Sequence, residues 1–146
     1  MAVDAHTGQV FVPTLGDDRM KVFDARRGAV VRTVRVGRVP AAVAVDPRTD
    51  RVVVANGGDA SVSVLDARRG AVLRAVAVGA QPLAVAVDAR TGRAFVVNYG
   101  GTVREPATWS GQWLQRLRRW LPWLPQSVPV VRSVPGSVSV IDVSRR

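Results

Sequence analysis

Cysteine is absent from this chain of 146 residues. Its absence excludes disulfides, thiolate metal sites, a cysteine nucleophile and covalent attachment of a c-type haem. Histidine occurs once, at His6, and lysine once, at Lys21. A site built from several histidines is therefore excluded as well. The remaining basic residues are all arginine, and the net charge is +10. An arginine preference this strong, alongside so much alanine and valine, is a pattern that genome composition alone can produce. Not all of that charge is read as selection for binding. No window approaches the ~20 consecutive apolar residues that a membrane-spanning helix needs. The opening Met1-Ala-Val-Asp-Ala-His6 has neither the basic start nor the apolar run of a signal peptide. What is present in quantity is apolar: 47% of the chain, enough for a folded core and too much for disorder.

The apolar residues come in a repeat. Val3-Asp-Ala-His-Thr-Gly8 returns as Val45-Asp-Pro-Arg-Thr-Asp50 and as Val87-Asp-Ala-Arg-Thr-Gly92, each 42 residues after the last. Asp24-Ala-Arg-Arg-Gly-Ala-Val30 returns as Asp66-Ala-Arg-Arg-Gly-Ala-Val72, and Val36-Gly37 as Val78-Gly79. Just over half of residues 4–45 are identical to residues 46–87 without a gap. Within one repeat, short β-branched runs (42–45, 51–55, 61–65 and 71–78) alternate with turn sequences such as Asn56-Gly-Gly-Asp59. Four strands per 42 residues is the pattern of a β-propeller blade. The fold class expected is therefore all-β, with about 2.5–3 four-stranded blades. Blade one covers about residues 1–40, blade two 41–82, and blade three 83–98 plus 137–146, with an insertion at 99–136.

These motifs resemble the YVTN-type β-propeller repeat family (YncE-like proteins). Phe95-Val-Val-Asn98, Val53-Val-Ala-Asn56 and the degraded Phe11-Val-Pro-Thr14 stand at the signature tetrapeptide. Ser61-Val-Ser-Val-Leu-Asp66 and Ser137-Val-Ser-Val-Ile-Asp142 match the later part of the repeat. The resemblance covers everything except about 99–135. It implies a non-catalytic binding or scaffolding module that is exported or surface-associated, with a protein or a surface polymer as partner. Some propeller families are metal-dependent lactonases or quinone-dependent dehydrogenases. An enzyme of that kind would have its site in blades not present here. A closed propeller needs four to eight blades. Two arrangements accommodate fewer: a piece of a longer propeller, or self-association in which two copies close a six-bladed ring.

The polar residues of the repeat read as structural. Asp4, Asp46, Asp88, Asp24, Asp66 and Asp142 each close a strand at a turn, where a carboxylate accepts backbone N–H bonds. His6 stands where the repeat elsewhere has Arg48 and Arg90, so it marks a variable turn position. Arg26, Arg27, Arg68, Arg69, Arg90 and Arg93 read as a solvated turn surface, or else as a rim facing a polyanion. No nucleophile–base–acid set, metal set or cofactor-binding pattern stands out.

The insertion breaks the pattern. It holds all four tryptophans, and five arginines against Glu105. A helix is predicted over 107–121, with Trp109, Trp113, Leu114, Leu117, Trp120 and Leu121 on one stripe and Arg116, Arg118 and Arg119 mainly opposite. Pro122, Pro125, Pro129 and Pro135 predict an extended, irregular return. Trp109, Trp113, Arg116, Arg118, Arg119, Trp120 and Trp123 are the candidate partner-binding residues. The helix fits three roles: a lid on the propeller, an anionic membrane surface contact, or a nucleic-acid contact in which Trp stacks and Arg neutralises phosphate.

Overall fold

The computed structural model describes residues 1–108 and 127–144, with side chains described for 1–100 and 135–144. The described residues are all-β and divide into two units. The first comprises Met1–Gly100 together with the segment from Pro135, and the second is Gly101–Val134.

The first unit contains three antiparallel meander sheets that look like propeller blades. Sheet one is β1 (Ala2–Asp4), β2 (Gln9–Thr14), β3 (Arg19–Asp24) and β4 (Ala29–Arg35), in that order. Sheet two is β5 (Pro40–Asp46), β6 (Arg51–Asn56), β7 (Ser61–Asp66) and β8 (Val72–Ala77). Sheet three brings together β9 (Pro82–Asp88), β10 (Arg93–Asn98) and, from beyond the insertion, β13 (Ser137–Asp142), with β10 in the middle.

The turns explain why the strands stop where they do. In Asp4…Gly8, Asp24…Gly28, Asp66…Gly70 and Asp88…Gly92 the glycine N–H donates to the aspartate carbonyl at 2.8–2.9 Å. The glycine lies in the left-handed region, with φ between 63° and 69°, where a Cβ is disfavoured. Asp50 takes the same conformation, at φ 52°, where the other repeats have glycine; aspartate tolerates it better than most residues. Irregularities recur with the repeat too. The ladder between third and fourth strands slips between Val22 and Phe23 and again between Val64 and Leu65. These are bulges at equivalent positions, which shows they belong to the repeat's design and are not local accidents.

The core lies between sheets. Phe11, Met20, Val22 and Val34 of sheet one pack against Val43, Val52, Val54 and Leu65 of sheet two. Val53, Val62 and Val64, on the opposite face of sheet two, pack against Ala94, Val96, Ile141 and Val143 of sheet three. Sheet two is thus covered on both faces. That is why β6 reads Val-Val-Val-Ala without polar alternation.

The second unit is a hairpin, β11 (Gly101–Thr108) paired with β12 (Ser127–Val134). Two expectations change here. The helix expected from residue 107 does not begin there, because Ala107 and Thr108 continue β11 and pair with Val128 and Ser127. The return, expected to be extended and irregular, is extended but regular, a strand over Ser127–Val134. Proline does not prevent this pairing. Pro106 stands directly opposite Pro129. An antiparallel ladder exchanges N–H bonds only at alternate pairs, so two prolines can share a pair that exchanges none. Four valines in eight residues (Val128, Val130, Val131 and Val134) supply the β-branched character.

Candidate functional site

The repeated carboxylates are engaged in the same way in every repeat. Asp4 Oδ1 accepts the His6 N–H at 2.9 Å, and its Oδ2 accepts the Thr7 hydroxyl at 2.7 Å. Asp46 does the same with Arg48 N–H and Thr49 (3.0 and 2.6 Å), and Asp88 with Arg90 N–H and Thr91 (2.9 and 2.8 Å). Asp24 accepts the N–H groups of Arg26 and Arg27, Asp66 those of Arg68 and Arg69, and Asp142 that of Ser144. At Asp4, Asp24, Asp66 and Asp88 these bonds stabilise the ionised form. Burial opposes ionisation of Asp4, but the Thr7 hydroxyl and the His6 and Thr7 amides outweigh it and hold its pKa below the ordinary value. Asp24 is lowered chiefly by the Arg27 and Arg26 amides, Asp66 chiefly by the Arg69 amide, and Asp88 chiefly by the Thr91 hydroxyl. A carboxylate held this way is a turn anchor and a poor proton donor.

The signature asparagines are also internal. Asn56 Nδ2 donates to Ser61 Oγ (3.1 Å) and Ser63 Oγ (2.9 Å), and Asn98 Nδ2 to Ser137 Oγ (3.1 Å) and Ser139 Oγ (2.9 Å). Both asparagines are buried. The glycine of each Val-Gly pair closes over one of them. A Cβ on Gly37 would meet Asn56 Cγ at 2.5 Å, and a Cβ on Gly79 would meet Asn98 Nδ2 at 2.7 Å. The asparagine, its two serines and the glycine therefore recur as one packing unit.

Three arginine side chains join the sheets. Arg32 Nη1 donates to the Arg68 carbonyl at 3.0 Å, Arg48 Nε to the Ala89 carbonyl at 2.6 Å, and Arg74 Nη2 to the Asp142 carbonyl. Each reaches from one sheet to a turn of the next. The signal in the sequence was the 42-residue spacing of Arg32 and Arg74. The acceptors were hidden because they are backbone carbonyls one repeat away.

Two surfaces stand out among the described residues. The first is a cleft of about 580 Å³ at the turn end of sheet two, lined among others by Arg51, Arg68, Arg69, Arg74 and Leu73. Asp66 lies 3.7 Å from Arg51, and Asp50 lies 3.0 Å from Arg68, so much of the positive charge there is already compensated. Arg68 and Arg69 are exposed, as expected for turn arginines. The second is the outward face of sheet three. Phe95, Val97, Val138 and Val140 are all exposed there, and the register sets Phe95 opposite Val140 and Val97 opposite Val138. Four apolar side chains in two adjacent cross-strand pairs form a continuous patch of the kind that marks an interaction site.

Trp109, Trp113, Arg116, Arg118, Arg119, Trp120 and Trp123 lie outside the described residues, as does the remainder of the expected helix. Among the described residues, no three or more His, Asp or Glu side chains converge on a point where a metal ion could sit. No helix among them is long and apolar enough to cross a membrane.

No family model and no curated protein matches the chain. Solved structures do match. Among them is hydrazine synthase of Kuenenia stuttgartiensis, with a TM-score of 0.66 and 25% identity over 70% of this chain. The match spans 29% of that protein's chain, so what is shared is a part of a larger molecule and extends to the all-β, blade-like architecture.

Proposed function

We propose that this chain is a non-catalytic binding or scaffolding module of β-propeller type with YVTN-like blades, and that the insertion carries its specificity. One observation supports this most directly. β10 and β13 pair in the same register as the uninterrupted hairpin of sheet two, Asn98 opposite Ser137 as Asn56 is opposite Ser61. The Asn–Ser–Ser bonds are the same across both. A segment of more than thirty residues therefore enters where sheet two has four residues, Gly57–Ala60, and the pairing of the two strands it joins is the same. The scaffold places no demand on what the insertion contains. The insertion nevertheless concentrates every tryptophan, and five arginines against one glutamate.

That composition suits an acidic protein or surface polymer. Aromatic faces supply contact area, and guanidinium groups pair with carboxylate, sulfate or phosphate. The resemblance to the YVTN-type family makes an extracytoplasmic location part of the same proposal.

Replacing residues 99–136 with Gly-Gly-Asp-Ala, the loop of sheet two, tests the reading. Far-ultraviolet circular dichroism and the melting temperature should stay close to those of the parent. Retention on a sulfated-polysaccharide column, expected for the parent at low salt, should fall sharply. Equal retention of both proteins, or no retention of the parent, sinks the proposal.

A further inference from the structure

The molecule contains, between its own sheets, a worked example of what covers the outward face of sheet three. Val53, Val62 and Val64 of sheet two are covered by Ala94, Val96, Ile141 and Val143 of sheet three, with Val85 and Val87 packed alongside. The repeat carries both halves of this contact to the ends of the stack. On sheet three, Phe95, Val138 and Val140 stand where sheet two has Val53, Val62 and Val64, and they are uncovered. On sheet one, Met1, Val3, Val10, Val12, Phe23 and Ala25 stand where sheet three has Val85, Val87, Ala94, Val96, Ile141 and Val143. All six are apolar. None belongs to the core between sheets one and two, which is built from the alternate residues Phe11, Met20 and Val22. Met1 and Val3 are 84% and 58% exposed.

We infer that a second copy of this chain docks head to tail, the outward face of sheet one covering the outward face of sheet three, in the geometry that sheets two and three already use. Two such contacts between two copies bring six sheets together, within the four to eight of a closed propeller. A heterologous contact of this kind closes only if the rotation per sheet permits it, so the stoichiometry is part of the test.

A polar contact accompanies the apolar one. Arg48 staples sheet two to the Ala89 carbonyl of sheet three. Arg90 is its counterpart one repeat on; it is exposed, and its side chain donates no hydrogen bond to a described residue. The acceptor equivalent to Ala89, two repeats back, is the Ala5 carbonyl of the second copy. Lys21 departs from the pattern. It stands opposite Val12, on the outward face of sheet one, where the other sheets have Ser63 and Ser139. It must carry its ammonium group to the rim, so it weakens the contact.

The experiment is sedimentation velocity on the full 146-residue chain at about 50 µM, with variants Val3→Asp and Val97→Asp. Both positions are exposed in the single copy, at 58% and 49%, so each variant should fold, as circular dichroism would verify. The expected result is a discrete two-copy species for the parent and a single-copy species for either variant. An equimolar mixture of the two variants should regain a two-copy species, because one of its two contacts is then intact on both sides. Arg90→Ala removes one such bond from each of the two contacts and should weaken the parent's association by about 5- to 150-fold, the range of two hydrogen bonds. Lys21→Ser should tighten it. A monomeric parent overturns the inference, since another occupant, such as a further repeat, then belongs on the face. Open-ended growth overturns two-copy closure. A Val3→Asp variant that still pairs overturns the head-to-tail arrangement in favour of sheet three against itself.

Discussion

β6 and β10 are the same strand one repeat apart, Arg51-Val-Val-Val-Ala-Asn56 and Arg93-Ala-Phe-Val-Val-Asn98, with the same pairing to the strand before. Their surroundings differ completely. In β6 every residue from Val52 to Asn56 is buried, whereas in β10 burial alternates strictly, with Ala94, Val96 and Asn98 covered and Phe95 and Val97 exposed. Val53 is 0% exposed and its counterpart Phe95 is 41% exposed. The strands are locally interchangeable. What separates them is whether another sheet lies on the second face, so burial here is a property of the stack and not of the strand.

The largest effect expected from this difference comes from placing the same charge at both counterparts. Val53→Asp buries a carboxylate between two sheets and should cost about 4 kcal/mol or more, a large part of the roughly 5–15 kcal/mol that holds an ordinary domain folded. Phe95→Asp, in urea denaturation at submicromolar concentration where single copies dominate, should cost only about 1–2 kcal/mol, from the lost cross-strand pair and the poor strand preference of aspartate. Similar losses at both positions would break the comparison.

A smaller effect tests the packing unit the sheets share. Gly37→Ala drives a methyl group into Asn56 and should cost about 1–3 kcal/mol. Gly16, whose added Cβ would meet nothing within 4 Å, should tolerate alanine to within about 0.5 kcal/mol. A shift of the denaturation midpoint only in the first variant would show that the Val-Gly pair is a packing surface and not a flexible joint.

The smallest effect is a dependence on acid. Asp4, Asp24, Asp66 and Asp88 have lower pKa values folded than their ordinary value of 3.8. Each therefore contributes stability that is fully present above the unfolded value and is lost as pH falls through the lower folded one. The urea midpoint should be level above about pH 5 and decline below about pH 4. Asp88→Asn should flatten part of that decline. A midpoint that rises on acidification would mean these turns do not favour the charged form.

The regular parts of this protein were legible because they are local. A β-branched run between Asp-x-x-x-Gly turns makes a strand and its hairpin, and its recurrence after 42 residues gives the blade. The aspartate assignments were legible for the same reason, since their partners lie two or three residues away. The hairpin of the insertion was less so. Its prolines suggested irregularity, and only the pairing of Pro106 with Pro129 shows how a ladder accommodates both. The arginine staples were legible only as the recurrence of Arg32 at Arg74, and their acceptors not at all, because a guanidinium finds its carbonyl through the packing of one sheet on the next. The tryptophan and arginine set at 109–123 remains a reading of composition.

The sequence by itself determined the repeat, the strand and turn positions, and which side chains anchor the turns, all of which follow from backbone preferences and hydrogen bonds over a few residues. Only the tertiary structure decided which of two nearly identical faces is core and which is surface. Side chains on a strand point to both sides, and the sequence of one repeat does not state how many neighbours it has.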